Sequence, residues 1–363
     1  MARALSTHSQ IMIASDPYFQ FFKSYRNEIY SEKIPKFDHN APVSDNFWSE
    51  YLALDKLILN SSFDTKIKNT SLKEIITLIK NYVGRDSEKL LPILSSLNSS
   101  NYKDLFSELV SLIYKAYGKD STRFVGFKCT FSELFIAPTI KAFPNSKIIC
   151  IVRDPRAIYA SQTVPRKNYP LLYVVRQWRK SIEYMLQNID KENLQIFKYE
   201  DLIDNPEIFM KEISNFIGVD YEVDMINPNK YVDGAGVPWS QNSSYNKSKR
   251  GTINNKNKDK WKGILTKKDI QLIEDLCDAE MKIFGYSRET TNKMVNQKNI
   301  YIENKNDCRT WFREYFFQYE LNETEINKEI IRYLYLNNKI FDNHISDKLL
   351  VSATSKFLDT RLF

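Results

Sequence analysis

The sequence predicts an α/β protein: a short, mostly parallel sheet flanked by helices, with a helical insertion and a helical C-terminal extension. Three observations predict it. Short apolar runs bounded by turn residues recur at 11–14, 123–128, 147–152 and 194–199. The last three alternate with helical periodicity, which calls for crossover connections and parallel strands. A mostly helical stretch at 35–118 parts the first run from the second, and the composition shifts after about 290.

Taken in order, residues 2–9 read as a helix and IMIA at 11–14 as a strand closed by Ser15-Asp16-Pro17. Helical spacing follows at 18–31, then a loop with Pro35, Pro42 and Asp45. From about 47 to 118 the pattern is helical with polar breaks near 61–70, 83–87 and 97–102. RFVGFK (123–128) is a strand, SELFIAPTIKAF (132–143) a helix and KIICIV (147–152) a buried strand. Pro155 suits the first turn of the next helix, and a longer helix covers 170–189. LQIFKY (194–199) is another strand. The helix at 205–218 has Asn205 as its expected cap, Pro206 in its first turn and Gly218 at its end. A polar loop fills 226–260, and Thr266 is placed to cap an amphipathic helix at 265–286. Two or three helices are expected in the tail to 363. The expected domains are 1–290, containing the insertion at about 35–118, and an extension at 291–363.

Composition bounds the function. Of 363 residues, 42% are hydrophobic and 27% charged, enough for a large core and against wholesale disorder. The longest apolar runs, such as IICIV at 148–152, fall far short of a membrane span. Cys129, Cys150, Cys277 and Cys308 form no CxxC pair and read as free thiols in a reducing compartment. With no signal-peptide pattern at the start, the expected location is cytoplasmic. His8, His39 and His344 are widely spaced, so no metal site is expected. The net charge of +7 suits an anionic ligand without requiring one. No basic stripe carries interleaved aromatics, so no nucleic acid is expected.

The sharpest segment is KIICIVRDPRAIYASQ (147–162). Arg153 sits at the carboxyl end of a strand, where α/β sheets place ligands. Ser161 follows eight residues later on the next helix. An Arg fork and a hydroxyl can grip one phosphate together. The alternative is a structural ion pair between Arg153 and Asp154.

This segment resembles the 3′-phosphate motif of sulfotransferases that use 3′-phosphoadenosine-5′-phosphosulfate (PAPS), and the resemblance implies that Arg153 and Ser161 hold that phosphate. Three further segments agree in order. KYEDLIDNPEIFMKEISNFIGVDY (198–221) is similar to the family's Tyr-Glu-Asp strand end and following helix, which implies that Tyr199 packs on adenine. PWSQNSSYN (238–246) and KRGTINNKNKDKWKGILT (249–266) resemble its late loop, implying that Arg250 and Gly251 close over the 3′-phosphate. VGFKCT (125–130) resembles the strand bearing a Lys near the sulfuryl group, which matches Lys128. FGY (284–286) resembles the end of its last helix.

The resemblance implies a P-loop-like three-layer fold and sulfuryl transfer from PAPS to a hydroxyl or amine of a small-molecule, saccharide, lipid or peptide acceptor, without a metal. Two departures matter. The cytosolic branch has a catalytic His where this chain has Thr130, so a carboxylate is expected as base: Asp16, which matches a Glu of the tyrosyl-protein branch, or Glu133. Such a base needs a buried site that raises its pKa; the competing reading of Asp16 is a helix cap. The family's Ser-Gly-Thr loop for the 5′-phosphosulfate is also not found, and GKDST (118–122) lacks the upstream Gly of a Walker loop. The expectation is therefore a start at an internal Met, a chain as written of weak or no activity, and an active ancestral enzyme. Two other functions stay open: a non-catalytic nucleotide-binding relic, and a small-molecule kinase of the P-loop class.

Overall fold

A computed structural model of the chain describes residues 1–34, 39–40, 43, 55–83, 85–163, 169–232, 258–291, 295, 300, 323–338, 349 and 351–360. The chain divides into two compact units: Met1–Val43, Lys56–Ile148 and Asp201–Asn254 form one, and Ser44–Asp55, Ile149–Glu200 and Asn255–Phe363 the other. The units do not follow the expected boundary at 290, because the C-terminal extension belongs to the same unit as residues 149–200.

In the first unit, α1 (Ala2–Thr7) leads into β1 (Ile11–Ser15) and α2 (Phe19–Ser31). The insertion carries α3 (Leu72–Tyr82), a kinked 3-10 segment (Arg85–Ser96) and α4 (Tyr102–Tyr117). Ser71 and Glu74 close α3 with reciprocal bonds between side chain and backbone, and Asn101 caps α4 by accepting from the Asp104 N–H. β2 (Phe124–Lys128) then pairs with β1 in parallel, in the register Ile11↔Phe124 to Ser15↔Lys128. A 3-10 turn (Glu133–Phe135) and α5 (Ile136–Ala142) follow. Phe21, Tyr25, Phe63, Tyr102 and Phe106 pack mostly edge to face, with ring centroids 4.7–5.7 Å apart. Each such ring pair adds about 0.5–1.5 kcal/mol beyond area burial.

The second unit carries most of β3 (Ile148–Val152), then α6 (Pro155–Thr163), α7 (Leu171–Leu186) and β4 (Leu194–Lys198), which pairs with β3. α8 (Tyr199–Asp204) begins where β4 ends, so Tyr199 opens a helix instead of closing a strand. α9 (Pro206–Ile217) returns to the first unit and ends at Gly218, whose φ of 91° is left-handed and favours a residue without Cβ. Asn205 stands at the expected cap position, but its side chain makes no capping bond. α10 (Trp261–Ile264) and α11 (Lys267–Ile283) follow in the second unit, and Thr266 with Asp269 forms the capping box of α11. The tail contributes α12 (Glu323–Asn338) and α13 (Ser352–Thr360) among the described residues.

The α/β class holds. Among the described residues β1 pairs with β2 and β3 with β4. Among the described residues no further strand extends either pair.

Candidate functional site

Parallel pairing builds the corner around Asp16. The Asp16 N–H donates to the Lys128 carbonyl at 2.7 Å, carrying the ladder one residue past Ser15. The chain then turns sharply, with Asp16 at φ 47°. Its carboxylate faces the Lys128 ammonium and accepts the Thr130 N–H at 3.0 Å. The Lys128 and Asp16 side chains are 44% and 41% exposed, so this carboxylate lacks the burial expected of it. Asp16 is no helix cap either: Tyr18 precedes α2 and no side chain bonds its first turn. Phe131, three residues past Lys128, also has a positive φ, 60°. For a bulky ring this is an outlier, and such strain of about 1–3 kcal/mol concentrates at functional sites.

Glu133 opens the following 3-10 turn and is half-buried. Burial pushes the Cys129 thiol well above its ordinary range, and the nearby charges of Asp16 and Glu133 push it further. That thiol is therefore a poor nucleophile. Both described histidines are engaged elsewhere: His8 Nε2 lies 2.8 Å from the Asp220 carbonyl, and His39 Nε2 lies 2.8 Å from the Ser31 hydroxyl.

The second corner lies where β3 ends. The Arg153 guanidinium sits 4.5 Å from the centroid of the Tyr199 ring, a cation–π contact. Trp178 Nε1–H donates to the Arg153 carbonyl at 2.9 Å and holds the strand end. Asp154 forms no pair with Arg153. Its carboxylate accepts the Arg156 N–H at 2.8 Å at the start of α6, and it pairs with the Arg156 guanidinium at 2.6 Å. The Asp154 N–H donates to buried Glu200 at 3.1 Å, and Tyr286 O–H donates to the other Glu200 oxygen at 2.8 Å. Arg156 continues outward: it pairs with Glu274 at 2.6 Å, donates to the Ser287 carbonyl at 2.9 Å and lies 4.1 Å from the Trp261 ring centroid. Ser161 is half-buried on α6 and its hydroxyl donates to the Ile158 carbonyl at 2.8 Å.

The structure thus brings together Asp16 with Lys128 and, separately, Arg153 with Tyr199. Arg250 and Gly251 lie outside the described residues. Sequence reasoning missed Glu200, Arg156, Trp178 and Glu274. Only Glu200 carried a signal, since it is the middle residue of the Tyr-Glu-Asp strand end. Among the described residues no group of three or more His, Cys, Asp or Glu is placed to hold a metal, and no helix is long and apolar enough to cross a membrane.

A strand-end Arg laid on an aromatic ring sits where α/β sheets place ligands, and its chemistry suits an anionic group beside a flat base. Comparison with known proteins narrows the class. The sulfotransferase family model matches residues 79–223. A putative protein-tyrosine sulfotransferase of Caenorhabditis briggsae is 24% identical, over 54% of this chain and 72% of its own length. Carbohydrate sulfotransferase 3 of Tetronarce californica is 25% identical, over 47% of this chain and 43% of its own. This chain therefore spans less than half of that second relative. Among solved structures, the sulfotransferase domain from the curacin biosynthetic pathway aligns over 76% of this chain and 92% of its own, with 18% identity and a TM-score of 0.42. The family match and the relatives make residues 79–223 and their surroundings similar to sulfotransferases.

Proposed function

We propose that this chain moves a sulfuryl group from PAPS to a hydroxyl or amine of a small-molecule, saccharide or peptide acceptor, releasing 3′-phosphoadenosine-5′-phosphate (PAP). The observation that carries the donor assignment is Arg153 on the Tyr199 ring, with the strand end fixed by Trp178 and the next residue by Glu200. An Arg fork suits a phosphate dianion, and a Tyr ring suits a purine. Residues of both kinds stand together here, so the corner fits a 3′-phosphorylated adenosine. Ser161 is the second donor to the phosphate in this reading, and Arg250 and Gly251 close over it.

PAPS, when bound, supplies the sulfuryl group. Asp16 takes the proton from the acceptor as its oxygen or nitrogen bonds to sulfur, with Glu133 as the second candidate base. Lys128 balances the negative charge that grows on the bridging oxygen as the S–O bond to PAP breaks. Its ammonium already faces Asp16, so charge on that corner is held close before any substrate arrives. Protein-tyrosine and carbohydrate relatives support a hydroxyl acceptor. The location we propose is cytoplasmic, supported by the free thiols of Cys129 and Cys277.

Radiolabelled sulfate transfer from PAPS to phenol, saccharide and tyrosyl-peptide acceptors tests the activity. Transfer that disappears in Lys128→Ala supports the reading. Tight PAP binding with no transfer to any acceptor would favour a nucleotide-binding relic, and dependence on ATP and Mg²⁺ would favour a kinase.

A further inference from the structure

The C-terminal extension lies beyond the matched family segment, yet buried polar groups tie it to α7. Glu329 on α12 pairs with Arg176 at 2.5 Å and with Arg179 at 2.8 Å. Arg332, one turn on, pairs with buried Glu280 of α11, and both Arg332 and Arg179 donate to the Leu276 carbonyl, at 3.3 and 3.0 Å. Glu183, fully buried, accepts the backbone N–H groups of Ala353 and Thr354 at 2.7 and 3.0 Å, at the start of α13. Arg176, Arg179 and Glu183 share one face of α7 at i, i+3 and i+7.

Trp178 lies on the other side. It is two residues from Arg176, about 200° round a helix of 3.6 residues per turn. There its indole holds the Arg153 carbonyl. One helix is thus gripped from the extension on one face and fixes the Arg153 strand end from the other. All of α7 is buried except Gln177 and Ser181, so it has little room to shift independently.

We infer that the C-terminal extension is a positioning element for the donor's 3′-phosphate, with Glu329 acting on Arg153 through α7 and Trp178. This rests on the assignment of Arg153 to that phosphate. Glu329 touches no substrate; it sets where α7 stands. A purely structural extension would hold the unit folded without changing which nucleotide it prefers.

The test is titration calorimetry with PAP and with AMP, which lacks the 3′-phosphate. In wild type PAP binds more tightly than AMP. In Glu329→Gln the ratio of the two affinities falls about fivefold, within the usual range for coupling through packed elements. Trp178→Phe, which keeps a ring but loses the N–H, lowers the ratio similarly, and the double variant lowers it no further than either alone. If Glu329→Gln does not fold, Arg332→Lys is read the same way. An unchanged ratio in a folded, less stable Glu329 or Arg332 variant overturns the inference, as does an additive double variant. A wild type without preference for PAP overturns both the inference and the donor assignment beneath it.

Discussion

The corner at Asp16 and the corner at Arg153 are held by opposite means. Asp16 and Lys128 pair with more than two-fifths of each side chain exposed, on a backbone that turns through two positive φ angles. Arg153 is set instead by buried Trp178 on its carbonyl, buried Glu200 on the following N–H and half-buried Tyr199 under its guanidinium. The contrast has a physical sense. The exposed pair at Asp16 and Lys128 stands where an acceptor from solvent can reach it. A group that recognises a fixed dianion benefits from a frame that does not move.

The contrast is broken most sharply by separating activity from stability. Lys128→Ala is expected to lower kcat about 10²–10³-fold, as for loss of one charge stabiliser in a transition state. Steady-state sulfotransfer checks it. The same variant is expected to lose less than about 1 kcal/mol of stability, because exposed ion pairs contribute little. A large loss in its denaturation midpoint would place Lys128 in the frame rather than the chemistry.

In the second unit the balance reverses. Glu329→Ala leaves Arg176 and Arg179 buried without their carboxylate, and is expected to cost about 3–5 kcal/mol in urea unfolding. Burial pushes the Glu329 carboxyl up, but Arg179 and Arg176 outweigh it and hold it far below the ordinary range. A carboxyl depressed in the folded state stabilises fully above its unfolded pKa of about 4.3 and loses that stabilisation as pH falls further. The stability gap between wild type and Glu329→Gln is therefore expected to be constant from pH 5 to 8 and to shrink below pH 4. Denaturation across that range measures it; a gap that shrinks near neutrality would contradict the pairing.

A smaller effect is expected at Glu200. Glu200→Gln keeps the shape but weakens the acceptor of the Asp154 N–H and the Tyr286 O–H, costing about 2 kcal/mol. Its PAP affinity is expected to fall severalfold. Lost stability with unchanged PAP affinity would separate Glu200 from the donor corner.

Much of this was legible in the sequence, and the exceptions share a cause. The four apolar runs became strands within a residue or so at each end, because alternating apolar runs and turn residues are local signals. Thr266 and Gly218 were legible as helix ends for the same reason. Arg153 and Tyr199 came from motifs, and the structure stacks them. What stayed hidden depends on distant partners. Arg176, Arg179 and Glu183 carry no local signal on α7, because their partners lie on α12 and α13, far along the chain. The reading of Asp154 as a partner for Arg153 failed because Arg156, two residues on, lies nearer along α6. The pairing of β1 with β2 and of β3 with β4 was equally illegible, since pairing is set by what lies between strands and not by the strands alone.

One measurement reaches the centre directly: the thermal shift given by PAP set against that given by AMP, in wild type and in Arg153→Ala. The expected result is a larger rise with PAP in wild type, and equal, small rises in a folded Arg153→Ala. Equal rises in wild type, or a PAP advantage that survives loss of the guanidinium, would contradict the assignment of this corner to a 3′-phosphate.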